Sequence, residues 1–476
     1  MRKAITTTSF VIGYVITNSF LPVPPDSRAK LLSLHSLDEA AEEIHQTRPS
    51  NETAVKPVLL TTDVVESEED IQTIELDDIL IYEDASSDMG ALADEGSDVL
   101  DPVELSADMG SEIDSVEVVP ANEVPVPVQA VSEAPANLQR FYTALRELEQ
   151  GARRHVHVVH YGDSEIAGDG VTRSLRTIWG ERFGNGGLGF SLAARPFPTY
   201  YRDGYGHRKP LGFIPIPYTR KSAEGSSFGP GGVIFETWGK GAQATVDLKG
   251  VPEEVGCTVS FYYLSKSGKG ALELSDTKTV FRSFKISQGK PGVRRIDQRF
   301  NRCPQRLRVV STKAGRTQLY GWSVRYDQPG ILWSSMGVLS AQLSYLNRYE
   351  PGNFGSSIEA LSPSPDLLVL AYGLNIGSWK SIPGNNYKSR ITASLQMVRK
   401  EAGQVDCLMM GPYPIGRFKA GRVITSPAAI AANRIQSQVA EEQGCHYMDR
   451  FELAGGPKAT NRWLNGKPKR LSSDYV

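Results

Sequence analysis

The stretch of residues 155–169, which reads HVHVVHYGDSEIAGD, constrains the fold more than any other part of the chain. Its first half is typical of a β-strand, and the strand runs directly into a tight Gly-Asp-Ser turn. An amphipathic helix is predicted next, because Val171 and Leu175 share one helical face, and Asp169 stands where it can cap that helix. A serine on such a turn is exposed at the top of an α/β sheet, so Ser164 is the candidate nucleophile.

The same alternation of buried strands and helices is found again after residue 330. Between the two parts, residues 195–330 show short alternating runs separated by Gly, Lys, Ser and Pro, which are typical of a β-sandwich. Strands that alternate with helices predict a parallel three-layer sheet, so the sandwich is predicted to be an insertion. The strands predicted after the insertion are 331–335, 366–372, 405–410 and 446–448, and the helices are 340–346, 387–402 and 427–443.

The start of the predicted insertion, residues 197–221, is rich in aromatic and cationic side chains, among them Tyr201 and Arg202. Aromatic faces suit sugar rings and cations suit carboxylates, so this run could contact a substrate. It could also be a structural loop packed where two domains meet, and we favour this second interpretation slightly.

Charge divides the chain into two unlike parts. Residues 61–139 contain 22 Asp or Glu and no Lys or Arg, whereas residues 140–476 contain 46 Lys or Arg and 26 Asp or Glu. Like charges repel and extend the acidic part, and its prolines stiffen it, so a disordered linker is predicted. The basic part could attract an anionic polymer, or the acidic part could offset it within one molecule.

These patterns predict five segments. Residues 1–25 resemble a secretory signal peptide or a membrane anchor, which predicts export to the periplasm or cell envelope. An acidic linker at 26–136 then leads to a hydrolase domain in two parts, 137–194 and 331–476, with the β-sandwich at 195–330 between them.

The four cysteines do not form a CxxC pair, so their spacing gives no zinc or redox signal. Cys257 and Cys303 fall in one β-rich region and could pair in an oxidising compartment. Cys407 and Cys445 are expected to be buried thiols.

Three short motifs, taken together, resemble one known family. They are Gly162-Asp163-Ser164 on the strand–helix turn, Gly373-Leu374-Asn375 after a buried strand, and the final Ser-Ser-Asp-Tyr-Val. Over residues 140–476 the chain resembles the SGNH (GDSL-type) hydrolases, and within them the bacterial branch similar to peptidoglycan O-acetylesterases. The resemblance implies a three-layer α/β fold with a flavodoxin-like parallel sheet and an inserted, jelly-roll-like carbohydrate-binding-module sandwich.

The resemblance also implies residue roles. Ser164 attacks the ester carbonyl, and its backbone N–H and the Asn375 side-chain amide serve as oxyanion-hole donors. A third donor comes from a block that reads Gly-x-x-Gly in the family and Gly337-Val338-Leu339-Ser340 here. Ser340 is the expected donor and Gly337 its alternative, while Asp163 is expected to shape the turn.

The catalytic triad is implied only in part. Asp474 stands where the family's Asp-x-x-His begins, so the histidine is expected just after Val476, where the printed chain stops. The chain is therefore expected to be inactive as printed, either as a fragment or as a true pseudoenzyme. His155, His157 and His160, on the nucleophile's own strand, are interpreted as packing residues.

The function that follows is an exported serine esterase that removes O-acetyl groups from a cell-wall glycan of the peptidoglycan type. The alternatives are a cell-surface O-acyltransferase of the same fold and a non-catalytic glycan-binding pseudoenzyme. The mechanism requires no metal or organic cofactor. The expected partner is the cell-wall polysaccharide rather than nucleic acid, with membrane attachment through the N-terminal segment left open, as are the oligomeric state and the residues that bind substrate.

Overall fold

The computed structural model describes residues 135–465, with gaps at 253, 277, 288–289, 377–381, 383 and 420–421. The predicted signal segment, almost all of the acidic linker, and Asp474 lie outside the described residues. In the part of the chain that is described, no helix is both long enough and apolar enough to cross a membrane.

The helices appear close to where the apolar periodicity predicts them, with one exception. Ser340, the predicted start of a helix, has a left-handed backbone with φ 58°, so a right-handed helix cannot begin there. A 3₁₀ helix at Leu343–Arg348 forms instead. The α-helices of the described residues are α1 Gln139–Glu149, α2 Ser164–Ala167, α3 Gly170–Phe183, α4 Asn353–Ala360, α5 Gly384–Ala402, α6 Pro427–Glu442, α7 Arg450–Leu453 and α8 Ala459–Asn465.

The strands of the described residues fall in both the α/β part and the inserted sandwich. They are β1 His155–Gly162, β2 Gly187–Leu192, β3 Tyr205–His207, β4 Ile214–Pro217, β5 Val233–Thr237, β6 Gln243–Leu248, β7 Cys257–Ser265, β8 Ala271–Ser275, β9 Val280–Lys285, β10 Gly292–Phe300, β11 Arg306–Lys313, β12 Thr317–Tyr326, β13 Gly330–Gly337, β14 Leu367–Ala371, β15 Asp406–Met410, β16 Gly416–Lys419, β17 Arg422–Thr425 and β18 His446–Met448.

Five parallel strands form the central sheet in the order β13-β1-β14-β15-β18. The first strand of this sheet in the chain therefore lies between the second and the third, which is the flavodoxin-like order. At the carboxyl end of β1, Gly162 pairs with Gly337 of β13 on one side and with Ala371 of β14 on the other. The prediction of a parallel α/β sheet is confirmed, and the crevice at its switch point lies at the end of β1.

The inserted segment forms two antiparallel sheets, which confirms the predicted sandwich. One sheet has the order β10-β7-β12-β5-β4, and the other has the order β3-β6-β11-β8-β9. Alternate residues of β6 are buried, as expected of a strand with one face on a core. The core is aromatic, and the rings of Phe261 and Trp322 lie 4.6 Å apart.

The sandwich is joined to the first strand–helix unit through β2. This strand lies within the segment predicted as the first part of the hydrolase domain, yet it pairs antiparallel with β12 of the sandwich. The two parts of the fold therefore share a strand ladder on this side, and the domain limits themselves stay a prediction.

All four cysteines are disulfide-bonded. Cys257 pairs with Cys303, as the sequence allowed. Cys407 pairs with Cys445, so the expectation of buried thiols at these two positions is wrong. The reason is register: β15 and β18 are parallel neighbours with Leu408 opposite His446, which sets the two preceding residues side by side. Their Cα atoms are 4.7 Å apart, a separation that a disulfide spans.

Removal of the Cys407–Cys445 bond by the double substitution Cys407→Ala and Cys445→Ala should lower the free energy of unfolding by about 2–4 kcal/mol. The bond closes a loop between residues 38 apart, and its loss restores entropy to the unfolded chain. Urea unfolding of both proteins measures the difference, and reductant added to the wild type should cause a larger loss, because it also opens the Cys257–Cys303 bond. A loss below about 0.5 kcal/mol would contradict a constraining bond between these strands.

Candidate active site

Ser164 is exposed at the first position of α2, directly after β1. The turn is tight because Gly162 is closely surrounded. A Cβ atom there would lie 2.2 Å from Ile166 Cγ1 and 2.8 Å from the Ala371 carbonyl oxygen. The strand therefore ends closely packed against its neighbours, and Ser164, two residues after Gly162, is exposed to solvent.

Asp163 caps α2 and is buried beneath it. Its Oδ1 accepts the backbone N–H of Glu165 at 3.1 Å. Burial raises the pKa of this carboxyl to about 7, and the charge of Glu165 adds to the rise. The backbone N–H groups of Glu165 and Leu374 and the charge of Arg450 oppose it. These contacts fit the interpretation that Asp163 shapes the turn.

The turn after β13 brings Ser340 towards the same edge. The Val338 N–H donates to the Gly162 carbonyl oxygen at 3.0 Å, which fixes this turn against the end of β1. Ser340 is exposed and adopts φ 58°, the left-handed region that glycine favours, which is the residue the resembled family carries there. Gly337 lies against α2, because a Cβ on it would be 2.0 Å from the Ala167 nitrogen.

Asn375 lies in the 3₁₀ turn Leu374–Ile376, just after β14. Its side-chain Nδ2 donates to the Ala341 carbonyl oxygen at 2.9 Å, so the amide is tied to the residue that follows Ser340. Ser164, Ser340 and Asn375 thus follow three adjacent, register-matched strand ends. The structure brings together the three described residues predicted for the nucleophile and the oxyanion hole, while their chemical roles stay a prediction.

The three histidines of β1 have partners inside the fold. His155 Nε2 lies 3.0 Å from the Tyr326 carbonyl oxygen, and Trp333 Nε1 donates to His160 Nδ1 at 3.4 Å. His157 contacts the Pro363 carbonyl oxygen and the Ser334 hydroxyl at 2.7 and 2.8 Å.

Burial lowers the pKa of all three β1 histidines, to about 4 for His157 and about 3 for His160. They are therefore uncharged near neutral pH. The contacts and the pKa shifts both fit the interpretation of these histidines as packing residues of the strand.

Asp169 corrects one sequence prediction. It stands at the N-cap position of α3, but its side chain makes no capping hydrogen bond. The buried carboxylate instead accepts from the Thr172 hydroxyl, from Arg176 and from Arg202, whose Nη1 is 3.3 Å away. It also accepts the Asp203 N–H at 2.8 Å.

Burial by itself would raise the pKa of Asp169. The charges of Arg176 and Arg202 outweigh burial and hold this pKa at about 2. The carboxylate is therefore charged at neutral pH, although it is fully enclosed.

The sequence analysis named Arg202 only as a member of the 197–221 run, and its contact with Asp169 near the candidate site was not predicted. Arg202 is buried, and its Nη2 donates to the Leu188 and Trp333 carbonyl oxygens at 2.6 and 2.7 Å in addition to the Asp169 contact. It therefore links the inserted segment, β2, β13 and the corner between α2 and α3. The only sequence signal for Arg202 was the aromatic and cationic composition of 197–221. Its buried contacts fit the interpretation of this run as a structural loop packed where two domains meet.

A second buried guanidinium, that of Arg450, contacts the residue that follows Ser164. Arg450 Nη1 contacts Glu165 Oε2 at 2.8 Å, and its Nε donates to the Gly411 carbonyl oxygen. The guanidinium carbon lies 4.3 Å from the centre of the Tyr413 ring. The residue after the candidate nucleophile is thus held from the β15 side of the sheet.

Replacement of Arg202 by Met should lower the free energy of unfolding by about 3–5 kcal/mol, because the charge of Asp169 would stay buried with only one cation beside it. The matched control is Arg208→Met, which breaks an ion pair between the exposed Arg208 and the partly exposed Asp247. Its expected cost is below about 1 kcal/mol. Equal losses in urea unfolding of the two variants would contradict a special role for the buried pair.

Asp163→Asn should stabilise the protein at alkaline pH relative to the wild type. The folded-state pKa of about 7 exceeds the ordinary value of 3.8, so the wild-type carboxyl supports folding fully below pH 3.8. That support is lost as the pH rises through 7. The variant should gain roughly 1–3 kcal/mol at pH 8 and little at pH 4, while keeping the helix cap. Unfolding curves from pH 4 to 8 measure this, and parallel pH profiles of the two proteins would refute it.

No protein-family model matches the sequence, and no curated protein sequence matches it significantly. Solved structures do match. One is described as a peptidoglycan O-acetylesterase in action, with 19% identity, a TM-score of 0.57, and coverage of 71% of this chain and 89% of that one.

Two partial likenesses are weaker. An acetyl-xylooligosaccharide esterase from Geobacillus Stearmophilus has 18% identity and a TM-score of 0.23, over 31% of this chain and 65% of that one. The C-terminal CBM6 of LamC, a marine laminarinase from Zobellia galactanivorans, has 10% identity and a TM-score of 0.20, over 25% of this chain and 90% of that one.

The first likeness and the strand order together show the fold. The described residues adopt the fold that the resemblance to SGNH hydrolases predicts, with a β-sandwich inserted after the first strand–helix unit.

Proposed function

We propose that this protein is an SGNH-type serine esterase that removes O-acetyl groups from a cell-wall glycan of the peptidoglycan kind. One observation carries the proposal: an exposed serine follows the central strand β1, and two candidate oxyanion donors follow the strands paired with it. The fold likeness to a peptidoglycan O-acetylesterase supports the choice of substrate.

The proposed reaction has two steps. The Ser164 oxygen attacks the acetyl carbonyl carbon, and the resulting oxyanion accepts from the Ser164 N–H, the Asn375 amide and the backbone N–H of Ser340, or of Gly337. Collapse breaks the bond to the sugar oxygen, which leaves with the proton taken from Ser164. Water then attacks the acetyl-serine and releases acetate.

Asp474 and a histidine expected after Val476 are proposed to move these protons as in other serine triads. The described residues enter this scheme as donors and nucleophile, and the reaction as drawn uses no metal or organic cofactor.

Export is part of the proposal. Two disulfides connect residues within the described part of the chain, and such bonds persist in oxidising compartments. The apolar stretch near the N-terminus is compatible with a signal peptide or an anchor. The excess of basic residues after position 140 would favour an anionic cell-wall polymer as partner.

Acetate release from O-acetylated peptidoglycan tests the proposal. Ser164→Ala should reduce the rate by roughly 10³-fold or more, and Asn375→Ala by roughly 10²–10³-fold, because they remove the nucleophile and one oxyanion donor. Ser174→Ala on α3 and Asn347→Ala, whose amide donates to Ser394, are matched controls that should keep the activity. Equal release by wild type and Ser164→Ala would exclude Ser164 as nucleophile.

The assay should compare the printed chain with one continued by the residues that follow Val476 in its gene. Ser164-dependent acetate release that needs a histidine in the continuation supports the esterase. Transfer of the acetyl group to an added glycan in place of water would indicate an O-acyltransferase. Glycan binding without Ser164-dependent turnover in either chain would indicate a binding protein.

A further inference from the structure

The helix that carries Ser164 is too short to hold its own position. α2 comprises four residues in a single turn. The Ala167 N–H donates to the Asp163 carbonyl oxygen at 3.0 Å, and the Gly168 N–H donates to that of Ser164 at the same distance. One turn of helix is not stable by itself in water, because its formation fixes several residues for very few hydrogen bonds. The position of Ser164 is therefore set by contacts that reach α2 from outside.

These outside contacts come from both sides of β1 in the sheet order. On one side, the Ser335 hydroxyl of β13 donates to the Ile166 carbonyl oxygen at 2.8 Å. On the other side, Arg450 follows β18. Its Nη1 contacts Glu165 Oε2 at 2.8 Å, and its Nε donates to the Gly411 carbonyl oxygen after β15. In the order β13-β1-β14-β15-β18, Arg450 thus connects α2 to the side of β1 away from β13.

The contact between Arg450 and Glu165 is a charge pair enclosed by protein. The side chain of Arg450 is 1% exposed, and that of Glu165 is 10% exposed. Burial by itself would lower the pKa of Arg450, but its acidic and phenolic neighbours, Glu165 first, raise that pKa instead. The guanidinium is therefore charged near neutral pH, and water and salt weaken its attraction to Glu165 only a little.

The same cation acts on both residues that flank Ser164. Burial raises the pKa of Asp163, the residue before the serine, and the charge of Arg450 opposes this rise. Arg450 Nη2 and Asp163 Oδ2 are both buried without a hydrogen-bond partner among the described residues. A buried charge pair with incomplete partners adds little stability compared with apolar side chains of similar size. What the pair of Arg450 and Glu165 does supply is a fixed geometry next to the serine.

We propose that Arg450 is a positioning residue for Ser164. Through Glu165 it holds α2, and with it the serine oxygen, relative to the strand ends from which the oxyanion donors follow. Because a displacement of about 1 Å at a reacting centre can cost about 10²-fold in rate, the pair should matter more for turnover than for binding of the glycan. This inference rests on the proposed function, since it assumes that Ser164 is the nucleophile.

A double substitution separates positioning from stability. Arg450→Met alone leaves the charge of Glu165 without its partner and should lower the urea midpoint of unfolding. The further change Glu165→Gln removes that charge and should recover much of the midpoint. In the chain continued beyond Val476, the double variant should still show a kcat for O-acetylated peptidoglycan fragments about tenfold or more below the wild type, with KM within about twofold. Arg450→Lys, which keeps the charge, should lie between the two.

The matched control is the ion pair of Arg153 and Asp366, whose Nη2 and Oδ1 atoms also lie 2.8 Å apart. Asp366 is 12% exposed, close to the value for Glu165. The pair joins the segments just before β1 and β14, at the ends of these strands opposite to the candidate site. Arg153→Met with Asp366→Asn should leave kcat within about twofold of the wild type. Equal losses of kcat in the two double variants, or no loss in either, would overturn the role proposed for Arg450.

Hydrogen exchange tests the hold on α2 without relying on activity. In the printed chain, the Ala167 and Gly168 amides should exchange about tenfold faster in the Arg450→Met, Glu165→Gln variant than in the wild type. The control variant should not change them. This result would support the hold on α2 even if no chain released acetate, in which case the esterase alone would fail. Unchanged exchange at these amides would overturn the positioning role and leave the esterase intact.

Discussion

The arrangement of the backbone around Ser164 depends on the buried carboxylate of Asp169. It lies directly after α2, in a left-handed backbone conformation with φ 57°, and its charge is balanced by guanidinium groups from α3 and from the inserted segment. An enclosed charge is tolerated only with partners in good geometry, so the conformation of this corner and the position of the insertion are determined together. The sandwich is thus part of the frame of the candidate active site.

Much of the fold could be predicted because its signals are local. Continuous apolar runs such as Leu367–Ala371 mark strands enclosed on both faces, and helical spacing marks their connections. β10 has a weaker strand signal, because it is an edge strand that carries Arg294, Arg295 and Asp297, which interrupt its apolar alternation. The helix expected from residue 340 was wrong because the backbone of Ser340 turns the other way.

The candidate site, like the fold, could be predicted only in part. Ser164 could be proposed from its strand–helix turn, whereas Ser340 and Asn375 were proposed only from the resemblance to a known family. The partners that hold these turns could not be predicted in this way. Arg202 and Asp169 are 33 residues apart in the chain, and Arg450 and Glu165 are 285 residues apart. Neither ion pair can therefore be predicted from a local sequence pattern. The Cys407–Cys445 bond was missed for a related reason, because it depends on the register of two strands.

The strand order also has a consequence for how the protein is made. β1 is completed early in synthesis, but β13, its partner on one side, begins only at Gly330, after the whole insertion. A pairing across so long a stretch of chain is slow to form, and a domain's native contacts can assemble only once both partners have left the ribosome. The turn that carries Ser164 therefore stays without its neighbours until β13 and then β14 have been made, and a chain interrupted within the sandwich contains the serine without Ser340 and Asn375.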